Sequence, residues 1–210
     1  MGERRLIYFA DAMCSWCYGF APVIGRIRAA FGEALPIQLV MGGLRPGTAE
    51  PMTEKARATV LEHWGHVEEA SGQPFDPSVL TESFVYDTDP AARAVVLVRG
   101  HDPEMAMDFL ERVQRAFYAE GRNVTCPEEL AVLATEFGFE AEPFTQALTG
   151  EAIKDATWRD YAVSQRAGVS GFPTLVGGPD DEGRFGVVTR GFAPGDEVLR
   201  VLEAWMSEPA

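Results

Sequence analysis

Cysteine is scarce in this chain, with three in 210 residues, at positions 14, 17 and 126. So few, so unevenly spaced, exclude the disulfide framework that staples small secreted domains, and the thiols point instead to chemistry or metal binding. Basic residues are short as well. Eighteen Lys and Arg stand against 32 Asp and Glu, a formal net charge of −14, and such a field repels phosphate backbones and anionic lipid surfaces. Nucleic acid and membrane are therefore not expected partners. No apolar run approaches the roughly 18 residues of a membrane span. After Met1-Gly2-Glu3-Arg4-Arg5 the first apolar segment stops at Asp11, too early for the apolar centre of an export signal, which makes a cytoplasmic location the expectation. Internal repeats, low-complexity tracts and phosphate-binding glycine patterns are missing too.

What remains is an ordinary core-forming composition, 46% hydrophobic with 10% aromatic residues, long enough for one globular unit with an insertion. Leu6-Ile7-Tyr8-Phe9-Ala10 reads as a buried strand. Phe20, Val23, Ile24, Ile27 and Phe31 recur at helical spacing up to Gly32, with Pro22 expected to kink that helix. Pro36 to Met41 reads as a second strand, closed by Gly42 and Gly43, which completes a parallel strand, helix, strand unit. From about Met52 to Ala167 the pattern is helical throughout. Val60, Trp64 and Val67 line one helix. Thr88-Asp89-Pro90 and Asp102-Pro103 start two more, and Thr125-Cys126-Pro127-Glu128 has the form of a capping box before another. Pro143 to Leu148 and Glu151 to Ala167 complete the block, with Trp64 and Trp158 expected in the core. Thr174-Leu175-Val176 and Gly186 to Thr189 flank the turn-rich loop from Gly177 through Asp181 to Gly183 and should pair as a hairpin. A final helix carries Val198, Leu202 and Trp205.

Cys14-Ser15-Trp16-Cys17 sets two thiols across two residues at the first turn of a helix, where backbone N–H groups favour a thiolate at the first position. Cys14 is then the outer, attacking sulfur, and Cys17 the thiol that resolves a mixed disulfide. A zinc site completed by His63 and His66 is the alternative for a lone Cys-x-x-Cys. The strand before the pair favours redox chemistry. Asp11, three residues ahead of Cys14, either relays protons to the pair or caps the turn. Its charge would raise a neighbouring thiol pKa. Cys126 reads as structural or incidental, and His63, His66 and His101 as surface residues. Gly168-Val169-Ser170-Gly171-Phe172-Pro173-Thr174 brings a proline directly into a strand, a placement that invites a cis peptide bond before Pro173.

Taken together, Cys14-Ser15-Trp16-Cys17-Tyr18-Gly19 after a first strand, an all-helical insertion, and Val169-Ser170-Gly171-Phe172-Pro173-Thr174 before a hairpin resemble the DsbA family. The resemblance covers essentially the whole chain and is similar in particular to a signal-less bacterial branch described as disulfide-isomerase-like. It implies an α/β protein of thioredoxin fold: a four-stranded mixed sheet with a large all-helical insertion, residues 1–50 and 168–210 forming the thioredoxin-like part and 51–167 the insertion. It further implies Cys14 as nucleophile, Cys17 as resolving thiol and Pro173 as a cis-proline facing them. Phe172 would offer backbone groups to an extended substrate, and exposed Met13, Trp16, Tyr18 and Phe172 would form an apolar platform for unfolded polypeptide. Familiar periplasmic members carry a histidine between their cysteines. With Trp16 there and a reducing cytosol, reduction or isomerisation is favoured over net oxidation. The expected partners are protein or peptide thiols and disulfides and a recycling thiol donor, with glutathione as a candidate reductant and no bound cofactor. Two other functions remain open: a glutathione-dependent isomerase or transferase acting on a small organic substrate, and a chaperone-like or adaptor module that binds polypeptide without chemistry.

Overall fold

The computed structural model describes residues 3–180 and 182–208. Met1 and Gly2 of the N-terminal segment and Asp181 of the hairpin loop lie outside the described residues. Strand β1 (Arg5–Ala10) leads through a short loop into helix α1 (Ser15–Phe31), and a single helical turn then returns the chain to strand β2 (Ile37–Met41). Six helices follow: α2 (Glu54–Ser71), α3 (Asp89–His101), α4 (Pro103–Tyr118), α5 (Pro127–Thr135), α6 (Ala141–Leu148) and α7 (Glu151–Arg166). Strands β3 (Thr174–Gly178) and β4 (Gly186–Arg190) and helix α8 (Gly195–Ser207) complete the chain.

The four strands form one mixed sheet in the order β2-β1-β3-β4. β1 runs parallel to β2, with Tyr8 opposite Leu39, and antiparallel to β3, with Tyr8 opposite Leu175. β3 and β4 pair antiparallel around a bulge at Leu175 and Val176. Because β1 is central, residues 8–10 are buried on both of its faces, which is why its sequence lacks the alternation of a half-exposed strand. One continuous apolar core runs from the sheet and α1 into α2 through α7 and on to α8. The insertion helices thus share the core of the sheet.

Helix α1 runs on through Pro22. Proline has no N–H to give to the carbonyl four residues earlier, and that carbonyl, Tyr18 O, instead accepts a 3.3 Å bond from Gln73 Nε2. The capping box expected at Thr125 and Glu128 does not form. Asn123 Oδ1 accepts from both the Thr125 N–H (3.1 Å) and its hydroxyl (2.7 Å), an Asx turn that moves the helix boundary to Cys126. Glu128 accepts instead from the Cys126 thiol at 2.8 Å. Trp158 is 49% exposed on α7, so the expectation of a core position fails. Its helix buries Ile153, Thr157 and Tyr161, and that stripe turns Trp158 to solvent.

Candidate active site

The two thiols lie where β1 gives way to α1. Cys14 stands at the N-cap position with extended backbone, and its carbonyl accepts the Tyr18 N–H at 3.0 Å, opening the helix. Cys14 is 6% exposed and Cys17, a turn further in, is wholly buried. The Cys14 thiol points at Phe172 O, 3.4 Å away. The Phe172–Pro173 peptide bond is cis, as is Gly178–Pro179, which sequence reasoning did not single out.

Asp11 is buried beneath this turn. Its Oδ1 accepts from Met13 N at 2.9 Å and its Oδ2 from Leu44 N at 2.7 Å. Burial pushes its carboxyl pKa up, against the downward pull of the Leu44, Met13 and Gly43 N–H groups and the Thr88 hydroxyl. Both backbone groups of Met13 are held by side chains, since the Tyr86 hydroxyl donates to Met13 O at 2.8 Å. Tyr86 and Tyr118 hydroxyls meet at 3.2 Å in the interior. The Cys17 thiol is pushed well up, first by burial and then by neighbouring Cys14, while the Asp11 backbone N–H pulls the other way. Tyr8, whose hydroxyl sits beside Cys17, is pushed up by burial and by both cysteines.

The expected platform is only partly present. Met13 and Tyr18 are buried, not exposed. Met13 is drawn inward by Asp11 and Tyr86. Tyr18 stacks on Tyr118 with ring centroids 5.1 Å apart, and its hydroxyl donates to Pro74 O at 3.2 Å. Trp16 and Phe172 are half-buried, and Trp16 leans on Phe192 at 5.6 Å. The half-buried rings of this region are therefore Trp16, with Phe192 against it, and Phe172. A groove of about 270 Å³ runs along residues 167–172 to Arg190 and Gly191, bringing the backbone before Pro173 to the surface. His63 and His66 are exposed on α2, and among the described residues no three His, Cys, Asp or Glu side chains gather to hold a metal ion.

Sequence reasoning missed Gly42, on whose Cα the Phe172 ring rests. It missed Tyr8 as well, and Tyr86, Tyr118 and Thr88, which act across long stretches of chain. Tyr86 is 73 residues from Met13, and Thr88 Oγ1 accepts from Arg45 N, 43 residues away.

The chain as a whole is similar to several known proteins. A protein from Nitrosomonas europaea with the provisional name protein disulfide isomerase is 35% identical, and the match covers 98% of each chain with a TM-score of 0.88. Cytosolic disulfide reductase DsbM from Pseudomonas aeruginosa is 28% identical, covering 96% of this chain and 98% of that one at a TM-score of 0.77. It has also been solved with GSH. ClpXP adapter protein SpxH of Halalkalibacterium halodurans is 21% identical over 93% of this chain, which spans 65% of that protein's length. The family model described as DSBA-like thioredoxin domain matches residues 5–196. A four-stranded mixed sheet with a helical insertion, and that match over most of its length, make this chain a member of the DSBA-like thioredoxin domain family.

Proposed function

We propose that the chain is a thiol–disulfide oxidoreductase working through the Cys14-Ser15-Trp16-Cys17 centre. One observation carries the reading: a barely exposed Cys14 thiol faces Phe172 O beside the cis Pro173, with buried Cys17 a turn behind it. In the reaction, Cys14 thiolate attacks a substrate disulfide, one substrate sulfur leaves with the electron pair, and a Cys14 mixed disulfide forms. Cys17, deprotonated, then attacks Cys14 Sγ. The Cys14–Cys17 bond forms, the second substrate sulfur leaves as thiolate, and two electrons have passed from the pair to the substrate. Two glutathione thiols reverse the oxidation and end as glutathione disulfide. An extended substrate lies along the groove before Pro173, pairing with Phe172 backbone groups, with Trp16 and Phe172 as its apolar contacts. Asp11 or a neighbour takes the Cys17 proton. The cytosolic name of DsbM and its GSH complex support a cytoplasmic, glutathione-recycled reductase or isomerase.

The test is mass spectrometry of tryptic peptides after equilibration in graded glutathione buffers. A reversible Cys14–Cys17 disulfide is expected, and Cys17→Ser should accumulate a Cys14–glutathione adduct. No Cys14–Cys17 bond in any buffer defeats the reading. The SpxH relatives, 21% and 23% identical, favour a second one, an adapter that binds protein without chemistry. That reading gains if a Cys14→Ser, Cys17→Ser double variant keeps full partner binding.

A further inference from the structure

In a chain with so few cations, many arginines are held in ion pairs, as Arg26, Arg28, Arg93 and Arg99 are by Asp196, Asp108, Asp89 and Asp160. Arg190, the last residue of β4, is not. It is exposed, and among the described residues its guanidinium has no hydrogen bond, ion pair or ring contact. Its register partner across the β3–β4 ladder is Thr174, two residues past Phe172, a step of about 6.6 Å along a strand. Arg190 also lines the groove of about 270 Å³ together with Ser170, Gly171 and Phe172, and no other charged side chain among the described residues does so. Ser170 and Gly171 are exposed, and their N–H groups make no hydrogen bond within the described residues. A free guanidinium and two free N–H groups, with no acidic side chain lining the same groove, are the donors that a carboxylate takes.

We infer, on the redox reading above, that Arg190 makes this groove selective for a disulfide bearing a carboxylate beside its reacting sulfur, and that glutathione disulfide is the substrate it selects. The formal charge of −14 repels an anion from the protein at large. Salt screens that repulsion beyond about 8 Å, so an anion that binds needs a cation close by, and in the groove Arg190 is that cation. Glutathione carries a carboxylate on each side of its cysteine. With that cysteine beside Phe172, one carboxylate lies toward Arg190 whichever way the tripeptide runs. In the reaction Cys14 thiolate attacks one glutathione sulfur, the Cys14–glutathione bond forms and the glutathione S–S bond breaks. The second glutathione leaves as thiolate with the electron pair. Arg190 holds the half that stays.

The experiment mixes reduced protein with one of three disulfides, quenches by rapid alkylation, and follows loss of the Cys14 thiol by mass. The disulfides are glutathione disulfide, neutral hydroxyethyl disulfide, and the disulfide dimer of acetyl-Cys-Asp-amide. Arg190→Gln should react with glutathione disulfide about fivefold more slowly than the wild type, the factor at the top of the range for a solvent-exposed ion pair. Its rate with hydroxyethyl disulfide should not change. Arg190→Lys, which keeps the charge but not the two-pronged guanidinium, should recover part of the loss. Added salt should bring the wild-type rate with glutathione disulfide down toward that of Arg190→Gln. An unchanged rate with glutathione disulfide in Arg190→Gln overturns the inference, and if the Cys-Asp dimer alone is slowed, the groove reads acidic polypeptide instead. Equal slowing with hydroxyethyl disulfide also overturns it, because Arg190 then supports the loop and reads no charge. A wild-type protein whose Cys14 reacts with none of the three defeats the redox reading itself.

Discussion

Replacing Gly42 by alanine tests whether the Phe172 seat holds the site together. A Cβ built on Gly42 would stand 2.2 Å from Phe172 Cζ and 2.4 and 2.7 Å from its Cε atoms. Gly42 does not have the positive φ of its neighbour Gly43, so alanine meets no backbone objection there and the clash alone decides. Restoring an ordinary carbon contact of about 3.5 Å from 2.2 Å requires a retreat of about 1.3 Å. Phe172 cannot retreat far without moving its carbonyl, already 3.4 Å from Cys14 Sγ.

Overpacking of this kind costs about 1–3 kcal/mol. For a chain of this length that is a fall in Tm of about 2–12 °C. A misplacement near 1 Å at the reacting groups slows glutathione exchange by about 10- to 100-fold. Gly65→Ala in α2 is the control, since a Cβ there meets nothing within 4 Å. Alanine should stabilise that helix by about 0.5–1 kcal/mol and leave exchange alone. The assays are thermal unfolding and the rate of adduct formation at Cys14. If Gly42→Ala matches the wild type in both, the Phe172 ring does not hold the loop and the reasoning fails.

Asp11→Asn should change how stability depends on pH. The folded carboxyl pKa is raised above its ordinary value of 3.8, so its favourable contribution is complete below 3.8 and is lost as pH rises through the folded pKa. Urea unfolding at successive pH values should therefore show wild-type stability falling relative to Asp11→Asn over that window, and parallel profiles would refute it. Arg99→Met should destabilise by about 2–4 kcal/mol, less than a fully buried pair because both side chains are partly exposed. The guanidinium bonds Asp160 at 2.6 and 2.9 Å and Leu39 O at 2.8 Å, tying α3 and α7 to β2. A loss under about 0.5 kcal/mol, the usual range of a neutral surface change, would count against this tie.

The strands, the order of helices and the cysteine pair were legible because they rest on local periodicity and on turn residues near one another. The boundary at Thr125 was misread because a single upstream side chain, Asn123, bonds both polar groups that the cap would have used. The inward turn of Met13 and Tyr18 was not legible. An aromatic beside a cysteine motif reads equally well as platform or core, and here α4 and the segment after α2 decide, setting Tyr118 and Phe75 against Tyr18, with Trp64 of α2 packed on Tyr118. Gly42 read only as the end of a strand. Its role needs Phe172, 130 positions later, and no local pattern connects them.

The site's rigidity follows from the polar groups buried beneath it. Asp11 bonds Met13 N, just ahead of Cys14, and Leu44 N, in the loop after β2. That loop begins with Gly42, whose N–H bonds Ala10 O at 2.7 Å and whose Cα seats Phe172. Phe172 O in turn accepts from Cys14. Cys14, Asp11, Leu44, Gly42 and Phe172 thus close a ring of contacts drawn from three separate loops. No member can shift without straining the next, because each buried polar group has lost water as an alternative partner. Burying a carboxylate here is unfavourable by itself, as its raised pKa reflects, and the two N–H bonds offset that cost only while both loops stay in place. The same carboxylate that, after burial and Cys14, disfavours ionisation of Cys17 therefore also helps hold the loop that carries Cys14.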